Sequence, residues 1–185
     1  MNRKQHISTF LSDIVRKEDI ALFSTGYISR EAYDAKHRNG NFYMIGSMGL
    51  LSSIGIGLAT ASKKRIFVFD GDGSFFMGLD AMPLMQNCRS IIHVVLNNGQ
   101  WSSTGGQTIP FSSNVVNCSK FYWQYFHFTD AKDFENSTLL ASCESGGPIL
   151  INCSVDDKSY DKNCKRFDID PHEHLETFRK FVIGE

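Results

Sequence analysis

The chain has 185 residues, 42% of them hydrophobic, which suits one domain spanning 1–185 with enough apolar bulk for a layered core. Nineteen Lys and Arg against twenty Asp and Glu, with no long basic or acidic block, argue against nucleic acid or an anionic membrane surface and for a small molecule or a protein as partner. No apolar run reaches the length of a membrane span, and the opening MNRKQHISTFLSDIVRK lacks a signal-peptide core, so a cytoplasmic protein is expected.

In chain order, the first strand-length apolar run is 20–23 (IALF). A helix is expected over 29–38, with a Ser N-cap and Glu31 in its first turn, where Arg30 and Glu31 pair or cap on an exposed face. A short apolar run at 42–45 leads into Gly46-Ser47-Met48-Gly49 and the small, glycine-rich helical stretch 48–62. The strand 66–70 (IFVFD) runs into Asp70-Gly71-Asp72-Gly73-Ser74 and a helix-like segment at 77–88. The strand 91–96 (IIHVVL) carries His93, read as a hydrogen-bonded core histidine. Residues 97–118 form a Gly/Ser/Thr/Asn segment long enough to suggest function. The aromatic run 121–128 (FYWQYFHF) reads at helical spacing as core or subunit interface. A helix at 131–144, a strand at 148–153, an exposed charged tract at 156–170 holding Lys165 and Arg166, and a helix at 171–182 beginning at Pro171 complete the order.

The apolar runs are continuous rather than alternating, as in strands covered on both faces, and they alternate with helices. The fold class is therefore α/β, a doubly wound parallel sheet flanked by helices. Five cysteines, odd in number and without a CxxC pair, predict buried thiols and no disulfide framework. His172 and His174 lie in a polar stretch with little claim on a metal.

Ligands of such sheets sit beyond the carboxyl ends of the strands, where three segments should converge: Gly46–Gly49, Gly71–Ser74 and Asn97–Gln100. Ser47, Gly73 and Ser74 are placed to donate to phosphate. A phosphate beside Asp72 is repulsive unless a cation lies between them. Mg2+, with oxygen ligands from Asp72, Asn98 and a carbonyl near Gln100, resolves that conflict. Taken singly, Asp72 reads equally as a turn residue capping a helix, and Asn97-Asn98-Gly99 as a plain turn.

GDG, 23 intervening residues and NN, each piece following a strand, together resemble the thiamine diphosphate (ThDP) motif. The segments STGYISREAYDAKHRNGNFYMIGSMGLLSSIGIGLATA and NNGQWSSTGGQ are similar to those of the phosphonopyruvate and sulfopyruvate decarboxylases, and residues 20–180 resemble their diphosphate-binding (PP) domain. The resemblance implies ThDP and Mg2+ as cofactors, with Asp72, Asn98 and the Gln100 carbonyl as metal ligands. It implies cofactor contacts at Gly46, Ser47, Gly71, Gly73, Ser74 and Ser103, and it places Thr25 and Gly26 near the aminopyrimidine. Met48 falls where the family has an apolar wedge beneath the cofactor, and a flexible thioether suits that role.

Nothing in the chain resembles the PYR domain, which in this family supplies the activating glutamate. The resemblance therefore implies a beta-type subunit, inactive alone, that works in an oligomer with a PYR-bearing alpha-type partner. The implied reaction is decarboxylation of a small 2-oxo acid, 3-sulfopyruvate first and 3-phosphonopyruvate second, with carboligation or a non-catalytic binding module as alternatives. Trp101 stands where phosphonopyruvate decarboxylases tend to have His, and Thr104 where Val is usual. Ser102, Ser103 and Thr104 are the candidates for binding the acid group of the substrate.

Overall fold

The computed structural model describes residues 1–130, 137–156, 164 and 166–185. Six strands form one parallel sheet: β1 (Ile20–Phe23), β2 (Asn41–Tyr43), β3 (Ile66–Gly71), β4 (Ile91–Asn97), β7 (Gln124–Phe128) and β8 (Ile149–Ser154). Their spatial order is β2-β1-β3-β4-β8-β7. The remaining strands, β5 (Gln100–Trp101) and β6 (Gln107–Thr108), make a small antiparallel hairpin beyond the end of β4. After β1 the chain turns to β2 on one side, then crosses to β3 on the other. The winding reverses between β1 and β3, and a crevice is expected at that point.

Because side chains alternate across a strand, the continuous apolar runs feed two cores. Phe67, Phe69, Ile92 and Val94 pack on one face with Ile7, Phe10 and Ile14. Ile66, Val68, Ile91 and Val95 pack on the other with Leu51, Met82 and Phe178. The first face is closed by α1 (Arg3–Thr9), whose chain continues in a wider π-type turn through Ile14. This helix was not expected from its polar composition. Its apolar residues come late, yet Ile7, Phe10 and Leu11 are fully buried. On the second face, α3 (Leu51–Ala61) and α7 (Pro171–Ile183) keep close to their expected bounds. Asp170 caps α7 by accepting from the amides of His172 and Glu173.

Several expectations are corrected. The helix placed at 29–38 is α2 (Tyr27–Ala35), capped by Gly26 without a side-chain bond. Ser29 is buried and donates to the carbonyls of Phe23 and Ser24, tying α2 to the end of β1. Glu31 is not on an exposed face but fully buried against Arg3. The helix placed at 77–88 starts earlier and is broken into α4 (Asp72–Met77), one tight turn at Leu79–Ala81, and α5 (Met82–Met85). Gly78 and Pro83, poor residues for a helix interior, account for the break. The aromatic run at 121–128 is not helical: its β-favouring residues form β7, paired with β8. The run at 42–45 contributes β2.

The last turns of the helix expected at 131–144 are α6 (Ser137–Ser145); residues 131–136 lie outside the described residues, as do 157–163 and Lys165 of the charged tract. All five cysteines are buried and unbridged. Among the described residues no helix is long and apolar enough to cross a membrane.

Candidate functional site

The parallel register brings the ends of β1, β3 and β4 level, Phe23 beside Phe69 and Gly71 beside Leu96. The loops that follow these strands are knitted together by hydrogen bonds. The amide of Gly46 donates to Thr25 Oγ1 at 3.0 Å, and the amide of Gly49 donates to Ser74 Oγ at 3.1 Å. Asp72 accepts from the Gly73 amide at 3.1 Å and, across the gap between β3 and β4, from the Gly99 amide at 2.8 Å. The two segments singled out by their spacing, GDG and NNG, are thus in direct contact. Asn98 Nδ2 donates to Ser102 Oγ at 2.6 Å, and Asn98 Oδ1 accepts only a loose 3.4 Å bond from the Gln100 amide.

A cleft of about 60 Å3 lies at this convergence. Of the predicted residues, Thr25, Met48, Gly71, Asp72, Gly73, Ser74, Asn98, Gln100 and Ser103 line it. Gly26 lines the adjoining groove with Thr25. Gly46 and Ser47 stand exposed on the rim, Ser47 being the one described non-glycine residue with a left-handed backbone, at φ 49°. Such strain persists only where the surroundings impose it, here the bonds of Gly46 and Gly49 on either side. Thr104 is outside the cleft, exposed in the β5–β6 turn, where its hydroxyl donates to Gln107 Oε1 at 3.2 Å.

Sequence reasoning missed Arg3, Ser24, Tyr27, Ile28 and Leu96 of the lining. Leu96 and Ser24 could have been found from the strand ends alone; Arg3 gives no local signal, because α1 lies far away in the chain.

Asp72 is 2% exposed, and burial pushes its carboxyl up to about 6, against the partial relief of the Gly99 and Gly73 amides and of the Arg3 charge. A neighbouring cation would restore the charged form. Asn98 and Gln100 line the same cleft, and a carboxylate joined by neutral amide and carbonyl oxygens is a hard oxygen set of the kind that suits Mg2+ completed by ligand oxygens and water. Among the described residues no three His, Cys, Asp or Glu gather as a self-sufficient metal cluster, so the cation would need a ligand's oxygens to hold it. The floor of the cleft is built to a close tolerance: a Cβ on Gly73 would lie 2.3 Å from Trp101 Nε1. That indole nitrogen is buried and has no hydrogen-bond partner among the described residues.

Residues 25–136, more than half of the chain, match the family described as thiamine pyrophosphate enzyme, C-terminal TPP binding domain. The chain belongs to the thiamine pyrophosphate enzymes. It is 31% identical over 176 residues to the sulfopyruvate decarboxylase subunit beta of Methanothermobacter thermautotrophicus, covering 92% of this chain and 90% of that one. It is also 31% identical over 172 residues to the phosphonopyruvate decarboxylase of Streptomyces viridochromogenes, covering 89% of this chain but 42% of the relative. The fold of this thiamine pyrophosphate enzyme domain is shared with 2-oxoglutarate:ferredoxin oxidoreductase from Magnetococcus marinus. That match has a TM-score of 0.64 at 16% identity, covering 88% of this chain and 62% of the other.

Proposed function

We propose that this chain is the diphosphate-binding, beta-type subunit of a ThDP- and Mg2+-dependent decarboxylase acting on 3-sulfopyruvate, with 3-phosphonopyruvate as the alternative substrate. The observation that carries the reading is the Gly99 to Asp72 hydrogen bond, which joins the GDG and NNG segments at the edge of the sheet. The near full-length similarity to a beta subunit supports the division of labour between two chains.

In this reading Asp72, Asn98 Oδ1 and the Gln100 carbonyl hold Mg2+. Gly71, Gly73, Ser74 and Ser103 receive the diphosphate, with Ser47 and Gly46 at the rim. Thr25 and Gly26 would hold the aminopyrimidine end, and Met48 would be the apolar support of the coenzyme. When bound, ThDP supplies a thiazolium carbon that adds to the keto group and takes up the electron pair released as CO2 departs. The protein positions the acceptor, excludes water and offsets charge. The cleft opens onto the groove lined by Thr25 and Gly26, so that it would receive part of the coenzyme. The rest of its surface would have to be covered by a PYR-bearing partner, which also supplies the activating glutamate. Trp101 in place of His favours the sulfonate over the phosphonate, and Ser102 and Ser103 are the nearest hydroxyls for it.

The test is reconstitution. The purified chain is mixed with a PYR-domain subunit, ThDP and Mg2+, and assayed against sulfopyruvate, phosphonopyruvate and pyruvate. Turnover is expected only in the mixture and fastest with sulfopyruvate. Turnover by this chain unaided would overturn the split-subunit reading. ThDP binding without turnover of any of the three acids would instead favour a non-catalytic module.

A further inference from the structure

Outside the segments assigned to the cofactor, one charged side chain among the described residues reaches the cleft. Arg3, on α1 and upstream of the family match, is 6% exposed and lines the space next to Asp72 and Asn98. Its guanidinium is clamped from one side: Nε donates to Glu31 Oε2 at 2.6 Å and Nη2 to Glu31 Oε1 at 2.8 Å, while the Tyr27 ring lies 5.6 Å from its carbon. Nη1 makes no hydrogen bond within the described residues. A bidentate pair fixes the fork of an arginine and aims the donors it does not use. Burying an ion pair for stability alone is a weak device, since an apolar pair of similar volume serves as well. This pair instead stands at the wall of a cleft whose other charged group is an aspartate.

We propose that Arg3 is a second anchor for the anion in this cleft, with Glu31 as its positioning residue and Nη1 as the donor to a diphosphate oxygen. The proposal rests on the cofactor reading above and deepens it: this chain brings its own fixed cation, in addition to Mg2+, to the diphosphate.

Trp101, in the wall of the same cleft, provides an optical reporter. The full chain assembled with its PYR-bearing partner is titrated with ThDP at fixed Mg2+ while tryptophan emission is followed, and melting curves are recorded for each variant. Arg3→Gln is expected to raise the midpoint about tenfold, Arg3→Lys to recover part of that loss, and Glu31→Gln, which keeps the cation but loosens its aim, to raise it by less than Arg3→Gln does. Thiamine, which lacks the diphosphate, should show no difference between the unaltered protein and Arg3→Gln. If Arg3 only braces α1 against α2, Arg3→Gln and Glu31→Gln weaken binding equally, in step with their melting temperatures, and the proposal falls. An unchanged midpoint for a folded Arg3→Gln overturns it as well. No saturable response in the unaltered complex would overturn the cofactor reading first, and this proposal with it.

Discussion

Asp70 and Asp72 are two residues apart, 1% and 2% exposed, and chemically identical, yet they are treated in opposite ways. Asp70, inside β3, is answered from within the protein. Its Oδ2 lies 3.3 Å from His93 Nε2, and His93 Nδ1 lies 2.7 Å from the hydroxyl of Tyr122, a polar chain buried among Phe75 and Met82, while Oδ1 has no hydrogen-bond partner among the described residues. Asp72, one step past the strand end, meets backbone amides and a cleft, with no cationic side chain bonded to it among the described residues. A buried carboxylate answered by its own core is a structural group; one left facing a cleft is a binding group. The difference predicts that mutations at the two sites fail in different assays.

The largest effect is expected at Asp72. Asp72→Asn removes the only anionic oxygen proposed for the metal, and with it at least a hundredfold of the affinity for ThDP with Mg2+, about 2.7 kcal/mol. Asn98→Ala should lose tenfold or more. Because the carboxyl of Asp72 is held up by burial, the ligand-free Asp72→Asn protein should melt no lower than the unaltered one. Calorimetric titration together with a melting curve checks both halves. Undiminished binding in both variants would remove Asp72 from the ligand-facing side of the comparison.

Asp70→Ala should do the reverse. It leaves His93 without its carboxylate in a dry core, at a cost of about 2–3 kcal/mol, while the folded fraction still binds ThDP as before. Urea unfolding followed by circular dichroism measures the first, and titration of the folded protein the second. Tyr122→Phe is the milder version. It removes the hydroxyl from His93 Nδ1, and with it the 3.2 Å contact to Met82 Sδ, for about 1 kcal/mol. A larger loss of cofactor affinity than of stability in either variant would mean that this polar chain reaches the cleft.

The same contrast accounts for what could be read in advance. Covered strands announce themselves by unbroken apolar runs, so the four strands from β1 to β8 that carry such runs, and the class of the fold, were legible. GDG and NNG were legible because each follows a strand and the parallel register levels the strand ends. Helix caps and breaks were less so: Ser29 as a cap and an unbroken helix at 77–88 were both wrong, since tertiary bonds to the β1 carbonyls and the Gly78 and Pro83 positions decided them. Nor could Arg3 be placed. Its partner is 28 residues away, and nothing local distinguishes a buried ion pair from two surface charges.

The smallest expected effect tests the structural side of the contrast with a histidine. His174 on α7 stacks on Tyr43 at 5.2 Å, sits 6.2 Å from His37 and leaves Nε2 buried without a hydrogen-bond partner among the described residues. Burial, and then the charge of His37, lower its pKa below the usual 6.5; burial does the same to His37, whose Nδ1 lies 3.1 Å from the Tyr43 hydroxyl. Both rings therefore bind protons less readily when folded than when unfolded. Their contribution to stability is full above pH 6.5 and is lost as pH falls through the lowered folded values. The melting temperature of the ligand-free protein should drop by about 2 °C more between pH 7.5 and 5.5 than that of His174→Phe. An equal drop in both would show that the acid sensitivity lies elsewhere. A drop that ThDP with Mg2+ abolishes would tie it to the cleft, where protons compete with the metal for Asp72.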